Sequence, residues 1–306
     1  MLSQMPSSKP GFGGRLSPAD LASYERDGFL RLPGFFAPDE IEPLAKACRA
    51  DPEVEGALLA VADSAGNPQE VTTWTHLSDD LVGVMPRLAR IVEAAEDLVG
   101  GPAYHWHSKL SMKKPGSAGR WDWHQDYGYW YHEGVLRPDM TTCTVAIDPA
   151  FKENGCLQLV RGSHRLGRID HQRIGEASGV DPERLALILK RSEIVECLMQ
   201  PGDAIFFHCN TLHASGPNVS QAPRTLLHCS YNAVDNEPYV AEGQEHHKYR
   251  PLEKLPDSAI REGRYKTIFT NQAFRQPDPD NGINNYGYKM LKYSRRPRVA
   301  PRGKDF

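Results

Sequence analysis

The hydrophobic rhythm of the chain changes about a third of the way along. Before residue 100, apolar positions recur three and four apart: Leu21 and Tyr24; then Ile41, Leu44, Ala45 and Cys48; then Leu88, Ile91, Val92, Ala95 and Leu98. Each set marks one face of an α-helix. The first helix is announced by Ser17-Pro18-Ala19-Asp20, which offers an N-cap serine, a proline at the first helical position and an acid at the third, and Gly28 ends it. The second is predicted over Pro38 to Ala50, and Pro86 is predicted to sit early in the third. Between the first two, Phe29-Leu30-Arg31-Leu32 reads as a short strand.

From about Tyr104, short runs rich in β-branched and aromatic residues alternate with Gly, Pro and Asn, the texture of antiparallel β-structure. The predicted strands are 103–113, 140–148, 156–161, 193–199, 203–207 and 224–233, with one helix, Asp181 to Lys190, interposed. Residues 1–16, rich in Ser, Pro and Gly, read as a flexible lead-in. Residues 17–306 read as one domain: helical support to about 100, a β-sandwich or barrel core over about 103–235, and polar loops wrapping it from 236 to the end. There is no internal repeat.

Composition narrows the partners. At 306 residues, with 40% apolar and 25% charged, the chain can bury a sizeable core. A net charge of -3 gives no general attraction for nucleic acid or anionic membranes, so small molecules are the expected partners. No run of about 18 apolar residues and no secretory core is present, which predicts a cytoplasmic protein, monomeric or homodimeric. The six cysteines form no CxxC pair, which argues against a zinc ribbon or redox motif and for reduced thiols used as small hydrophobes.

Two constellations carry chemistry. His124 and Asp126 lie two apart, and on a strand that spacing turns both side chains to one face. A facial iron site needs two histidines and one carboxylate with three positions left open. Alone, the pair means little in a chain with 12 histidines. The second constellation is a Pro201-Gly202-Asp203 turn, an apolar run, His213, Ala214, Ser215, and then Arg224, 11 residues beyond the histidine. A guanidinium at that distance suits the far end of a dicarboxylate. His208, five residues before His213, competes for the ligand role. His105 and His107 form a second pair, predicted to face the pocket from a strand, whereas His164, His246 and His247 read as loop residues. The aromatic run Trp121, Trp123, Tyr127, Tyr129, Trp130, Tyr131 favours a pocket wall beside the iron motif, able to hold an apolar or cationic group.

In this order, Tyr24-Glu25-Arg26-Asp27-Gly28-Phe29, Trp123-His124-Gln125-Asp126, Glu153-Asn154-Gly155-Cys156-Leu157 with Gly162-Ser163-His164, and His213 through Arg224 resemble the phytanoyl-CoA dioxygenase family. Within it the nearest branch holds ectoine and amino-acid hydroxylases. Val160-Arg161 departs from the apolar-proline pair usual before Gly-Ser-His. The resemblance implies a mainly β, double-stranded β-helix (jelly-roll) fold with flanking helices. It implies iron(II) held by His124, Asp126 and His213, and 2-oxoglutarate with O2 as co-substrates. Arg224 would anchor the distal carboxylate, with Ser215 and Thr142 supporting it and His107 and Ser111 lining the co-substrate pocket; Lys109 is the alternative anchor. Trp121, Tyr127 and Trp130 would line the substrate pocket. The implied reaction hydroxylates an unactivated C–H bond of a small metabolite, releasing succinate and CO2. Asp126 favours hydroxylation over halogenation. The competing readings are a non-catalytic metal- or sugar-binding β-helix and a hydroxylase of acyl-CoA esters.

Overall fold

Ser17 and Asp20 form the predicted capping box, each side chain accepting the other's backbone N–H at 3.2 and 3.1 Å. They open α1 (Pro18–Asp27), which Gly28 closes at φ 81°, a left-handed conformation that favours glycine. The position is doubly restricted, because a Cβ there would meet His164 and Thr211 at 2.4 and 2.8 Å. The computed structural model describes residues 15–50, 52–239 and 248–261. Almost all of the lead-in, His246, His247 and most of the expected wrapping segment lie outside the described residues.

In chain order there follow β1 (Phe29–Leu32), α2 (Pro38–Ala50), α3 (Pro52–Ala57), β2 (Leu59–Ala62), β3 (Pro68–Trp74), α4 (Leu81–Val84) and α5 (Ala89–Val99). Next come β4 (Ala103–Lys113), β5 (Trp121–His124), α6 (Tyr127–Trp130), β6 (Met140–Ala146), β7 (Leu157–Val160), β8 (His171–Ile174) and β9 (Ala177–Val180). The last are α7 (Pro182–Leu189), β10 (Ile194–Glu196), β11 (Ala204–His208), β12 (His213–Ser215) and β13 (Arg224–Ala233). Pro86 lies in a 3-10 turn, Met85–Arg87, and α5 begins only at Ala89. Residues 59–74, inside the stretch expected to be helical, form a hairpin. Its β-branched run Val71-Thr72-Thr73 pairs with β4.

Two antiparallel sheets face each other. The larger runs β1-β11-β6-β13-β4-β3-β2 and the smaller β10-β7-β12-β5, while β8 and β9 pair separately. This is the expected double-stranded β-helix. Strand alternation sorts the side chains of the large sheet. Cys143, Val145, Leu227, Cys229 and Tyr231 turn to the helices and pack with Ile41, Leu44, Ile91 and Val92. Burying each such aliphatic side chain contributes about 1.5–3 kcal/mol, so this side anchors the fold. The opposite row, which faces the small sheet, includes Thr142 and Thr144 on β6, Arg224, Leu226, His228 and Ser230 on β13, and Lys109 and Ser111 on β4. Most of that row is polar, and it supplies the chemistry.

One irregularity alters the reading of β4. The register passes from Ser230↔His107 to Tyr231↔His105, leaving Trp106 as an extra residue. His105 is thereby turned away from His107. Its Nε2 pairs with Ser108 Oγ at 2.8 Å and its ring meets Tyr231 edge-on, so it does not face the pocket.

Candidate metal centre and its two chambers

His124 ends β5 and His213 begins β12, directly across the ladder from one another. Their ring centroids are 4.1 Å apart. Each ring is oriented from behind: Nδ1 of His124 pairs with the carbonyl of Asp122 at 2.7 Å and Nδ1 of His213 with that of Thr211 at 2.9 Å. A carbonyl only accepts, so Nδ1 carries the proton and Nε2 keeps its lone pair for a metal. Burial, before any other influence, holds both imidazoles below their ordinary pKa and therefore neutral.

Asp126 is the third member, and it does not lie on a strand. Its backbone is helical, φ -59° and ψ -42°, because the chain leaves β5 after His124 and turns into α6. The two side chains converge through this turn and not through strand alternation. One ligand atom from each of His124, Asp126 and His213 lies within 4.8 Å of the others, and all three residues are buried. Burial alone would raise the Asp126 carboxyl, but the Lys109 ammonium at 3.9 Å and a hydrogen bond from Tyr129 hold it well below the usual carboxylate range. Two neutral imidazoles and one carboxylate on one side of a point suit a divalent iron with open positions.

Gln125, between the ligands, is locked on every side. Its backbone N–H donates to His171 Nε2 at 2.8 Å, and its amide group donates to the carbonyls of Gly167 and Asn210. Its side-chain oxygen accepts from Ile169 N–H. The loop before His213 and the segment entering β8 are thus tied to the peptide that carries both other ligands. Gly128 is needed for the same reason, since a Cβ there would lie 2.1 Å from the His171 ring.

Two chambers open from the centre. The smaller is lined by Ser111, Ser215, Arg224, Leu226 and His228; the larger by Val61, Thr73, His107, Tyr129, Trp130 and Ser178. Lys109, Trp121 and His124 border both. In the smaller chamber, Arg224 is 1% exposed, yet its Nε and Nη2 have no partner among the described residues, and neither does the Ser215 hydroxyl. Burial lowers the Arg224 guanidinium to about 10, which leaves it charged at neutral pH. His228, across the ladder from Lys109 and Thr144, is fixed by a 2.8 Å bond to the Thr144 hydroxyl.

Several predicted residues fall elsewhere. Thr142 does not line the small chamber: it pairs with Ser230 at 2.9 Å and reaches Asp126 at 3.4 Å, behind the metal ligand. His107 lines the larger chamber and not the smaller. Tyr127 is no part of either wall, because its hydroxyl donates to the carbonyl of Val135 within an aromatic cluster. Tyr129 takes that place. His208 is directed away from the centre, accepting the Asn210 N–H and packing on His164 and Tyr24. Arg161, where the sequence departs from the family pattern, bridges Asp27 and Glu193 at 2.6 and 2.7 Å. The six cysteines are buried, and no disulfide forms among the described residues.

A buried facial set of two histidines and a carboxylate, enclosed by the two sheets of a jelly roll, defines the class of mononuclear non-haem iron oxygenases. Comparison with known proteins then specifies the family. The chain belongs to the phytanoyl-CoA dioxygenase family, whose model matches residues 24–226. It is 30% identical over 272 residues to an ectoine dioxygenase of Bordetella parapertussis, covering 80% of this chain and 88% of that protein. To an L-proline trans-4-hydroxylase of Streptomyces griseoviridis it is 29% identical, over 70% and 86% of the two chains. Among solved structures it is similar to EctD from S. alaskensis with 2-oxoglutarate and 5-hydroxyectoine. The TM-score is 0.65 at 27% identity, over 79% of this chain and 88% of that one. No helix among the described residues is long and apolar enough to cross a membrane.

Proposed function

We propose that this protein is an iron(II)- and 2-oxoglutarate-dependent dioxygenase that hydroxylates a small metabolite. The observation that carries the reading is Arg224: a charged guanidinium almost wholly removed from water, with two N–H-bearing nitrogens unmatched, in a chamber that also opens on His124 and His213. A buried cation left so is costly unless an anion enters with it. A dicarboxylate with one end at the metal and the other on Arg224 and Ser215 answers that need.

His124, Asp126 and His213 hold the iron in this reading. Iron and 2-oxoglutarate together supply the oxidising chemistry, in which O2 is consumed, succinate and CO2 are released and one oxygen atom is delivered to a C–H bond. The chain positions the reactants. Arg224 and Ser215 orient the co-substrate, while Trp121 and His124, which border both chambers, bring the substrate and co-substrate to one point. Trp121, Tyr129 and Trp130 present aromatic faces in the larger chamber, and Lys109 presents a charge. Those walls suit a compact metabolite with an apolar body and charged ends, as the substrates named for the relatives are.

Anaerobic titration with iron(II) and 2-oxoglutarate tests the reaction class: a weak visible charge-transfer band is expected, and its absence favours a binding module. Succinate release over a metabolite panel that includes ectoine and L-proline, with mass spectrometry of the products, tests the substrate. A product heavier by one oxygen atom is expected.

A further inference from the structure

Asp126 is the candidate ligand with the least support from regular structure, since it sits in the turn between β5 and α6. What fixes its carboxylate is a residue outside the ligand set. The Tyr129 hydroxyl donates to Asp126 Oδ1 at 2.6 Å. The other contacts are weaker: Thr142 reaches Oδ2 at 3.4 Å, and Lys109 lies 3.9 Å from Oδ1, beyond hydrogen-bond range. A short O–H···O⁻ bond belongs to the strong, charge-assisted class.

The backbone prepares this bond. The N–H groups of Tyr129 and Trp130 both return to the carbonyl of Asp126, at 3.2 and 3.1 Å, so one helical turn stacks the tyrosine on the aspartate three residues before it. Gly128, between them, leaves room for the His171 ring that holds Gln125. The Tyr129 ring packs edge-on against Trp130 at 5.8 Å and forms part of the wall of the larger chamber. Tyr129 therefore joins that chamber, which His124 borders directly, to the Asp126 carboxylate.

We propose that Tyr129 is a positioning residue for the metal: its hydroxyl sets the plane of the Asp126 carboxylate before the ion arrives, and the ring is the lever that holds it there. The inference rests on the metal-binding reading given above. Groups that orient a ligand from behind typically raise metal affinity by about 10–100-fold. Tyr129→Phe removes the hydroxyl and keeps the ring, so it isolates the bond from the packing.

The test is an anaerobic titration of the apo full chain with manganese(II), read as free ion by electron paramagnetic resonance, for the wild type, Tyr129→Phe and His213→Ala. Expected is tight binding by the wild type, about 10–100-fold weaker binding by Tyr129→Phe, and none by His213→Ala. The metal-induced rise in Tm, referred to each variant's own apo Tm, reads the same loss even in a variant whose fold is weakened. If the wild type binds no better than His213→Ala, the metal-site reading itself fails. If the wild type binds and Tyr129→Phe equals it in both affinity and Tm rise, Tyr129 has no positioning role.

Discussion

The imidazole of His171 accepts the backbone N–H of Gln125 at 2.8 Å, so a residue 46 positions further along the chain holds the peptide between two candidate metal ligands. Its other nitrogen donates to the carbonyl of Ile169. Both bonds require the neutral ring with Nδ1 protonated, and burial lowers its pKa to about 4, against a partial opposing effect of the Ile169 bond. Above pH 6.5 the ring is neutral in the folded and unfolded chains alike. Between pH 6.5 and about 4 the unfolded chain takes up the proton and the folded one resists, so stability falls as pH falls. In His171→Ala this dependence disappears. The gap in unfolding free energy between wild type and variant, measured by denaturant titration, is expected to narrow by on the order of 3 kcal/mol from pH 7 to pH 4. A constant gap would show that the ring titrates normally.

Gly128→Ala is predicted to damage the metal centre without touching a ligand. The new methyl would lie 2.1–2.3 Å from three atoms of the His171 ring. The ring must move, and with it the bond to Gln125. Because the glycine is in a short helix where alanine is otherwise the better former, helix propensity argues for a gain and the clash for a loss. The clash should win: expect a lower apo Tm and weaker metal binding, the second restored in part by His171→Ala in the same chain.

These two relationships mark where sequence reading stops. The helical caps were legible because Ser17 and Gly28 act on their immediate neighbours. Strands β4 and β13 were legible because each is a long run free of Gly and Pro with turn residues at its ends, Gly101-Pro102 and Pro115-Gly116 around β4 and Pro223 and Asp235-Asn236 around β13. The pairing of His124 with Asp126 was legible as a spacing, although its cause was not: the second residue lies in a turn, and its convergence depends on α6. Tyr127 was expected at the pocket and Tyr129 takes its place because α6 rotates successive side chains by a helical and not a strand step. The bulge at Trp106, which separates His105 from His107, leaves no local mark in sequence. Nothing near His171 connects it to Gln125, since their contact is made by the β8–β9 hairpin folding back over the site.

His208 and His213 offer a clean comparison, because both lie near the same loop and only one belongs to the buried cluster. In His208→Ala the losses are the contacts of Nδ1 with the Asn210 N–H and the Cys209 thiol and the ring packing on Tyr24 and His164. Iron(II) binding should be retained within about 10-fold, the lower end of what a lost supporting contact costs. His213→Ala, like His124→Ala and Asp126→Ala, should abolish turnover. Anaerobic iron titration followed by succinate release measures both. Iron lost in His208→Ala but kept in His213→Ala would reverse the ligand assignment.

Arg224 separates stability from binding. Its guanidinium is buried with unmatched N–H groups, an arrangement that opposes folding until an anion arrives. Arg224→Met keeps much of the side-chain volume and removes the charge, so the apo-protein should be as stable as the wild type or more so. Affinity for 2-oxoglutarate should move the other way: truncating one side of a desolvated charge pair costs about 2–5 kcal/mol, or roughly 30-fold or more in Kd. Arg224→Lys should recover only part of this, because an ammonium keeps the charge without the forked geometry. Thermal melting with and without 2-oxoglutarate, under anaerobic iron(II), reads both quantities in one experiment. The wild type should gain in Tm on adding the dicarboxylate, and Arg224→Met should start at least as high and gain little. A variant that starts lower yet gains as much as the wild type would place the anchor elsewhere, with Lys109, which borders the same chamber, the first residue to replace.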